Sequence, residues 1–243
     1  MIQDLAIFWP ALVAGLLVTA THVPLGIQVL NRGIVFIDLA VAQFAGLGVI
    51  LGDWLGFEHH GPAVQVFALG AALAGALLLN LTERLWPQVQ EAIIGVAFVL
   101  AANAAILLLA ANPHGAEHLK DLLVGQILWV KPGELPILAV VSAAILALTF
   151  LWRSRTGFYL LFACAVTVSV QLVGIYLVFA TLIVPALATL QLRRGRLTAC
   201  YVLGALGYAA GLGLSAVTDL PTGPLVVCTL TALGTALFLT RRI

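Results

Sequence analysis

Four residues between positions 114 and 121 have the types and spacing of metal ligands. His114, Glu117, His118 and Asp121 read H-x-x-E-H-x-x-D. On a helix, His114 and His118 share a face at i, i+4, as do Glu117 and Asp121. Imidazole and carboxylate donors at that spacing suit transient capture of a divalent cation. The string also matches the inverted zinc-protease signature. That motif belongs on a regular helix of a soluble domain with a third ligand, and Gly115 interrupts the helix here. His59 and His60, beside Glu58, offer a second capture group in a short polar stretch. For both groups the competing reading is a solvated polar face. Three further candidates lie within apolar runs. His22 sits deep in the first one, and an ionisable residue at membrane depth is a functional candidate. Its competing reading is a neutral imidazole hydrogen-bonded to a neighbouring helix. Asp38 and Gln43 are five apart, which at about 100° per residue puts them roughly 140° apart on adjoining faces. Asp38 also lies only a turn and a half past Arg32, near the level of the headgroups.

The elements that must position these residues are membrane helices. The chain has 243 residues, 63% hydrophobic and 9% charged, with a mean hydropathy of +1.14. That composition excludes a soluble domain and points to an all-α, polytopic bundle forming one domain over residues 1–243. Apolar segments fall at about 7–30, 33–51, 64–81, 91–111, 135–152, 158–191, 198–217 and 225–240. The first is too long for a signal-peptide core and has no basic residue before it, so it reads as a span. The polar link 112–134 predicts a short amphipathic helix at the interface over 117–129. Cys164, Cys200 and Cys228 form no spaced cluster, which argues against a disulfide framework or a zinc knuckle. A net charge of +1 gives no footprint for nucleic acid. No G-x-x-x-x-G-K-[ST] loop exists, so any ATP that drives this protein binds a separate subunit.

The segment around 170–191, VQLVGIYLVFATLIVPALATLQ, carries Gly174 and Pro185 and ends in Arg193, Arg194 and Arg196. With the N-terminus outside, Arg32, Arg84, Arg153, Arg155, Arg241 and Arg242 fall on the cytoplasmic side. Arg193, Arg194 and Arg196 join them if the chain crosses and returns within 158–191. Only Lys120 and Lys131 of the 11 Lys and Arg residues are then outside. The positive-inside rule favours this arrangement. It predicts eight to nine membrane segments with a broken or re-entrant hairpin at Gly174, both arms short for a bilayer core of about 30 Å. The alternative is one long tilted helix.

Several stretches together resemble the membrane subunit of zinc/manganese/iron ABC importers. They are Leu30-Asn-Arg-Gly-Ile-Val-Phe-Ile37, Glu91-Ala-Ile-Ile-Gly-Val-Ala-Phe98, Val170-Gln-Leu-Val-Gly-Ile-Tyr-Leu-Val178 running into Leu182-Ile-Val-Pro-Ala-Leu-Ala-Thr189, and Asp219-Leu-Pro-Thr-Gly-Pro224. The resemblance covers nearly the whole chain in order. It implies a multi-pass subunit of a bacterial inner membrane, paired as a homodimer. It further implies a cytoplasmic dimer of ATPase subunits holding ATP, and an external protein that delivers the metal, zinc first with Mn or Fe behind it. This chain would bind no cofactor of its own and catalyse no reaction. The resemblance also implies a short ATPase-docking helix over about Ala186 to Arg196, with Leu187, Leu190, Arg193 and Arg194 in the contact. Val173, Gly174 and Ile175 would then form a gate, the two Gly174 regions of a homodimer approaching across its axis while apolar neighbours exclude water.

The sequence departs from the family's pattern in two places. Members carry D-x-L-x-H-A-x-x-P-G on the second span. Aligned on Gly48, this chain has Leu39 and Gln43 at the Asp and His positions, with Asp38 one residue off. Leu binds no metal, and a Gln carbonyl is a hard ligand poorly matched to zinc. The metal station is therefore weakened or moved, and the pathway candidates are His22, Asp38 and Gln43. Second, only Arg153 to Gly157 separates the fifth segment from the VG stretch. Two readings of other classes remain: a stand-alone secondary carrier, whose mark is paired broken helices in repeated halves, and an intramembrane metalloprotease, which needs converging ligands.

Overall fold

The first helix, α1, runs Ile2–Arg32 and contains Pro10 and Pro24. A proline cannot donate to the carbonyl four residues back. For Pro24 that carbonyl belongs to Ala20, and the Tyr201 hydroxyl donates to it at 3.1 Å. The fold thus repairs its own break with a side chain from a distant helix. The computed structural model describes residues 2–58, 61–110, 120, 122–152, 154–192 and 194–240, with side chains from Phe8 onward. Beyond α1 come α2 (Ile37–Trp54), α3 (Pro62–Leu85), α4 (Gln90–Leu109) and α5 (Leu135–Leu151). Then follow α6 (Arg155–Val173), α7 (Ile175–Ala188), α8 (Arg196–Thr218) and α9 (Thr222–Thr240). Eight of the described helices are long and apolar enough to span a bilayer, while α7 has 14 residues. The described residues contain no strand. This is the all-α membrane bundle expected from the sequence.

Contacts between side chains fix the helix directions. Gly15 meets Tyr208 and Gly204 meets Thr19, so α1 and α8 are antiparallel. Gly207 meets Leu230 and Gly211 meets Val226, so α8 and α9 are antiparallel. Tyr176 and Gly223 line one cavity, and Gly234 meets Val184, so α7 and α9 are parallel. Phe158 packs under Arg32 while Leu172 clusters with Ala14, so α6 is antiparallel to α1. It follows that α7 runs opposite to α6, and 158–191 is a hairpin rather than one long helix. The expected short arms need one correction. α6 starts three residues earlier than expected, at Arg155, and its 19 residues make about 28 Å, a full crossing. Only α7 is short, at about 21 Å.

Small residues allow this packing. A Cβ on Gly26 would collide with the Leu182 carbonyl, so α1 and α7 touch backbone to backbone. In lipid, close approach and dispersion replace the hydrophobic drive between helices. The apolar windows of α1, α2 and α6 are 61–67% buried, those of α4, α5 and α9 only 17–22%. The first three form the centre of the bundle and the last three its rim. The described arginines gather at one end. Glu83 lies 3.4 Å from Arg155 and 3.8 Å from Arg32, Arg84 donates to Thr156 at 2.8 Å, and Arg196 opens α8, whose Leu197 lines one cavity with Arg32.

Candidate functional site

Gly174, the single residue between α6 and α7, has φ 81° and ψ 161°. That region is open in practice only to glycine. The residue facing it is Gly125 of the polar link, itself at φ 70°. A Cβ on Gly174 would overlap the backbone of Val124 and Gly125, and a Cβ on Gly125 would overlap that of Val173 and Gly174. A third backbone joins them: a Cβ on Gly223, at the start of α9, would sit 2.7 Å from the Val124 carbonyl oxygen. The α8–α9 turn is held in turn by Asp219 in the left-handed region at φ 55°. The Ser215 hydroxyl adds bonds to the Leu220 carbonyl at 2.8 Å and to Thr222 Oγ1 at 2.6 Å.

The link, the hairpin and the α8–α9 turn therefore meet at one point, at the end opposite the arginines. Val173 and Ile175 are buried in the same chain. Within one chain, the close approach that demands glycine at 174 is made to Val124 and Gly125. Of the helix expected over 117–129, the described residues 120 and 122–124 are helical, and Ile127–Trp129 forms a 3-10 turn. In the link's described part, Leu122 reaches Gly46 of α2, and Ile127 and Val130 are buried. Ile127 and Val130 thus enter the bundle while Trp129 stays exposed. Neither Gly125 nor Gly223 stands out as a partner of Gly174 in sequence, since their meeting is purely tertiary.

The three intramembrane candidates, His22, Asp38 and Gln43, are all buried. His22 is fully enclosed, and its Nδ1 lies 3.0 Å from both the Val18 carbonyl and Thr21 Oγ1. Its bonds are to its own helix, not a neighbour, and Nε2 has no partner. Its spacing from Gly15, Thr19 and Gly26 places it on the α1 face that meets α7 and α8. Asp38 is fully buried in the first turn of α2, and neither carboxylate oxygen has a partner. It stands at the positive end of the α2 dipole, which offsets part of its charge. Gln43 is buried on the same helix. Among the described residues, His22 and Asp38 are not gathered into any group of three His, Cys, Asp or Glu that could hold a metal. His59, His60, His114, Glu117, His118, Asp121 and Arg193 lie outside the described residues.

At the arginine end, α7 stops at Ala188 and a turn follows over Thr189–Gln191. Among the described residues no helix lies between Ala188 and Arg196, which corrects the expected docking helix. The physical reason is the way the last carbonyls of α7 are met. Thr189 Oγ1 and Cys200 Sγ donate to the Pro185 carbonyl at 2.8 and 3.3 Å. Arg196 Nη2 donates to the Ala186 carbonyl at 3.1 Å. Gly195 then starts α8 from a left-handed conformation, φ 69°. Ala186 is buried, while Leu187 and Leu190 are about half exposed and Arg194 is exposed. So Arg196 is a structural cap, and Leu187, Leu190 and Arg194 form the free surface.

Two stretches of the chain, residues 4–156 and 153–240, match the ABC 3 transport family. The chain belongs to that family. Membership bears out the resemblance read from the motifs. The manganese transport system membrane protein MntC of Bacillus subtilis is 30% identical over 90% of this chain, which spans 57% of that protein. An uncharacterized membrane protein of Synechocystis sp. is 28% identical over 89% of this chain and 84% of its own length. Among solved structures, PsaBC from Streptococcus pneumoniae in complex with Fab superposes with a TM-score of 0.73 at 21% identity, covering 94% of this chain and 90% of that one. The helical bundle of that structure is thus the fold seen here.

Proposed function

We propose that this chain is the permease subunit of an ATP-driven importer of a divalent transition metal ion. The family match across nearly the whole chain carries this reading. Two copies form the permease in a bacterial inner membrane, with the N-terminus outside and the C-terminus in the cytoplasm. A dimer of ATPase subunits binds ATP and seats on Leu187, Leu190 and Arg194 of each copy. An external protein delivers the metal at the opposite end, where the glycine junction lies. The exposed apolar tip of α7 beside a basic surface supports the first contact, and the arginine clustering supports the orientation.

Alternating access follows from the hairpin. α7 links the ATPase end directly to Gly174, so a shift at Leu187 is carried along a rigid helix to the junction with Gly125 and Gly223. Val173 and Ile175 shut the path by excluding water there. Zinc is the first metal suggested by the sequence resemblance. The oxygen donors of Asp38 and Gln43 suit manganese better than zinc, and the B. subtilis relative is named for manganese transport. Manganese is therefore favoured, with zinc and iron behind it. Uptake of isotopic Mn²⁺, Zn²⁺ and Fe²⁺ into vesicles holding the permease with its ATPase tests the proposal. ATP-dependent uptake of one of them is expected. Equal uptake without ATP would overturn it in favour of a secondary carrier.

A further inference from the structure

A cavity of about 360 Å³ opens on the side of the bundle at the arginine end, between α1, α5, α6 and the start of α8. Nothing in the transport reading uses it. Its floor is apolar: Leu25, Phe158 and Leu161 are all buried. Its rim is polar and aromatic, with Arg32, Ser154 and the half-exposed Trp152. The lining on α1 runs from Pro24 to Arg32, which is about 12 Å along a helix axis. The cavity therefore reaches from the level of the headgroups into the apolar layer. A tryptophan at its mouth marks that boundary.

Charge decides which molecule fits. Arg32 and Arg155 share a single carboxylate, Glu83, at 3.8 and 3.4 Å, so the group keeps a surplus positive charge. The guanidinium of Arg32 is held in place over the Phe158 ring, 4.2 Å from its centroid, and stays partly exposed to the cavity. Ser154 caps α6 by accepting from Gly157 N at 2.9 Å. The positive end of that helix therefore points at the same rim. A cation, a helix start and an apolar slot below them match one phosphate with an acyl chain attached.

We propose that this cavity binds an anionic phospholipid, its phosphate at Arg32 and the α6 start, and one acyl chain along Leu25, Phe158 and Leu161. The bound lipid bridges α1, α5 and α6 at the end where the ATPase contact lies. Trp152 supplies the probe. The full chain is reconstituted in phosphatidylcholine vesicles containing a minor fraction of either brominated phosphatidylglycerol or brominated phosphatidylcholine, and tryptophan quenching is measured. The brominated anionic lipid is expected to quench more strongly, and the excess should vanish in Trp152→Phe. Arg32→Gln should weaken the preference about tenfold. Because that change also removes the Glu83 pair, Thr149→Phe provides a second variant, filling the slot with Arg32 intact; it should abolish the excess too. Inorganic phosphate should not displace the lipid, since the acyl chain holds it; displacement would reduce the site to a phosphate site and overturn the slot. Equal quenching by the two lipids, or an excess that survives Thr149→Phe, would overturn the proposal.

Discussion

Gly174→Ala tests the central junction most sharply. The substitution meets two separate obstacles. The backbone at φ 81° and ψ 161° strains any residue with a Cβ by about 1–3 kcal/mol. The added methyl would also overlap the backbone of Val124 and Gly125, which no rotamer change can relieve. Overpacking of that kind costs about 1–3 kcal/mol more. The sum is roughly 2–6 kcal/mol, and at about 2–4 °C per kcal/mol the lower end alone lowers Tm by about 4 °C. Thermal unfolding of the purified chain in detergent, followed by metal uptake in vesicles, reads both stability and coupling. Gly95→Ala is the control, because a Cβ there meets nothing within 4 Å and Gly95 lies mid-helix. Gly125→Ala should match Gly174→Ala, and the double variant should fall short of their sum, since one shared contact is lost only once. If Gly174→Ala melts within about 1 °C of the wild type and transports at the wild-type rate, the backbone contact is not what the junction rests on, and the gate assignment goes with it.

Tyr201→Phe leaves the Ala20 carbonyl opposite Pro24 without a partner and should destabilise by about 1–3 kcal/mol; Tyr176→Phe, at an exposed ring, should leave the melting curve where it is. Arg196→Ala should lower Tm by uncapping α7, whereas Arg194→Ala should leave Tm unchanged and weaken copurification of the ATPase. The opposite pattern would reverse the roles given to these two arginines. Cysteines placed at 131 and 194 in an otherwise cysteine-free chain should be labelled from opposite sides of the membrane, 131 from outside. Labelling of both from one side would break the hairpin topology.

Class and layout were legible in the sequence because they rest on composition and on local patterns. The hydropathy of successive segments requires membrane helices, and the arginines mark the end of each second crossing. Gly174 and Pro185 announce breaks wherever they stand, since φ freedom and a missing N–H act locally. The sequence also settled the family, through motifs spread along the chain. What it left open depends on which backbones meet. Arg193, Arg194 and Arg196 look alike as a cluster, yet Arg196 turns back onto the Ala186 carbonyl and Arg194 faces out. Asp38 and His22 look like neighbours in the sequence pattern, yet they sit on helices that do not pack along each other, and among the described residues no group of three His, Cys, Asp or Glu gathers them. Gly125 looks like an ordinary link glycine until α6 and α7 bring Gly174 against it. Local propensity fixes where a chain turns. Only packing fixes what it turns against, because a close approach of two backbones is a property of a pair of residues distant in sequence and of neither one alone.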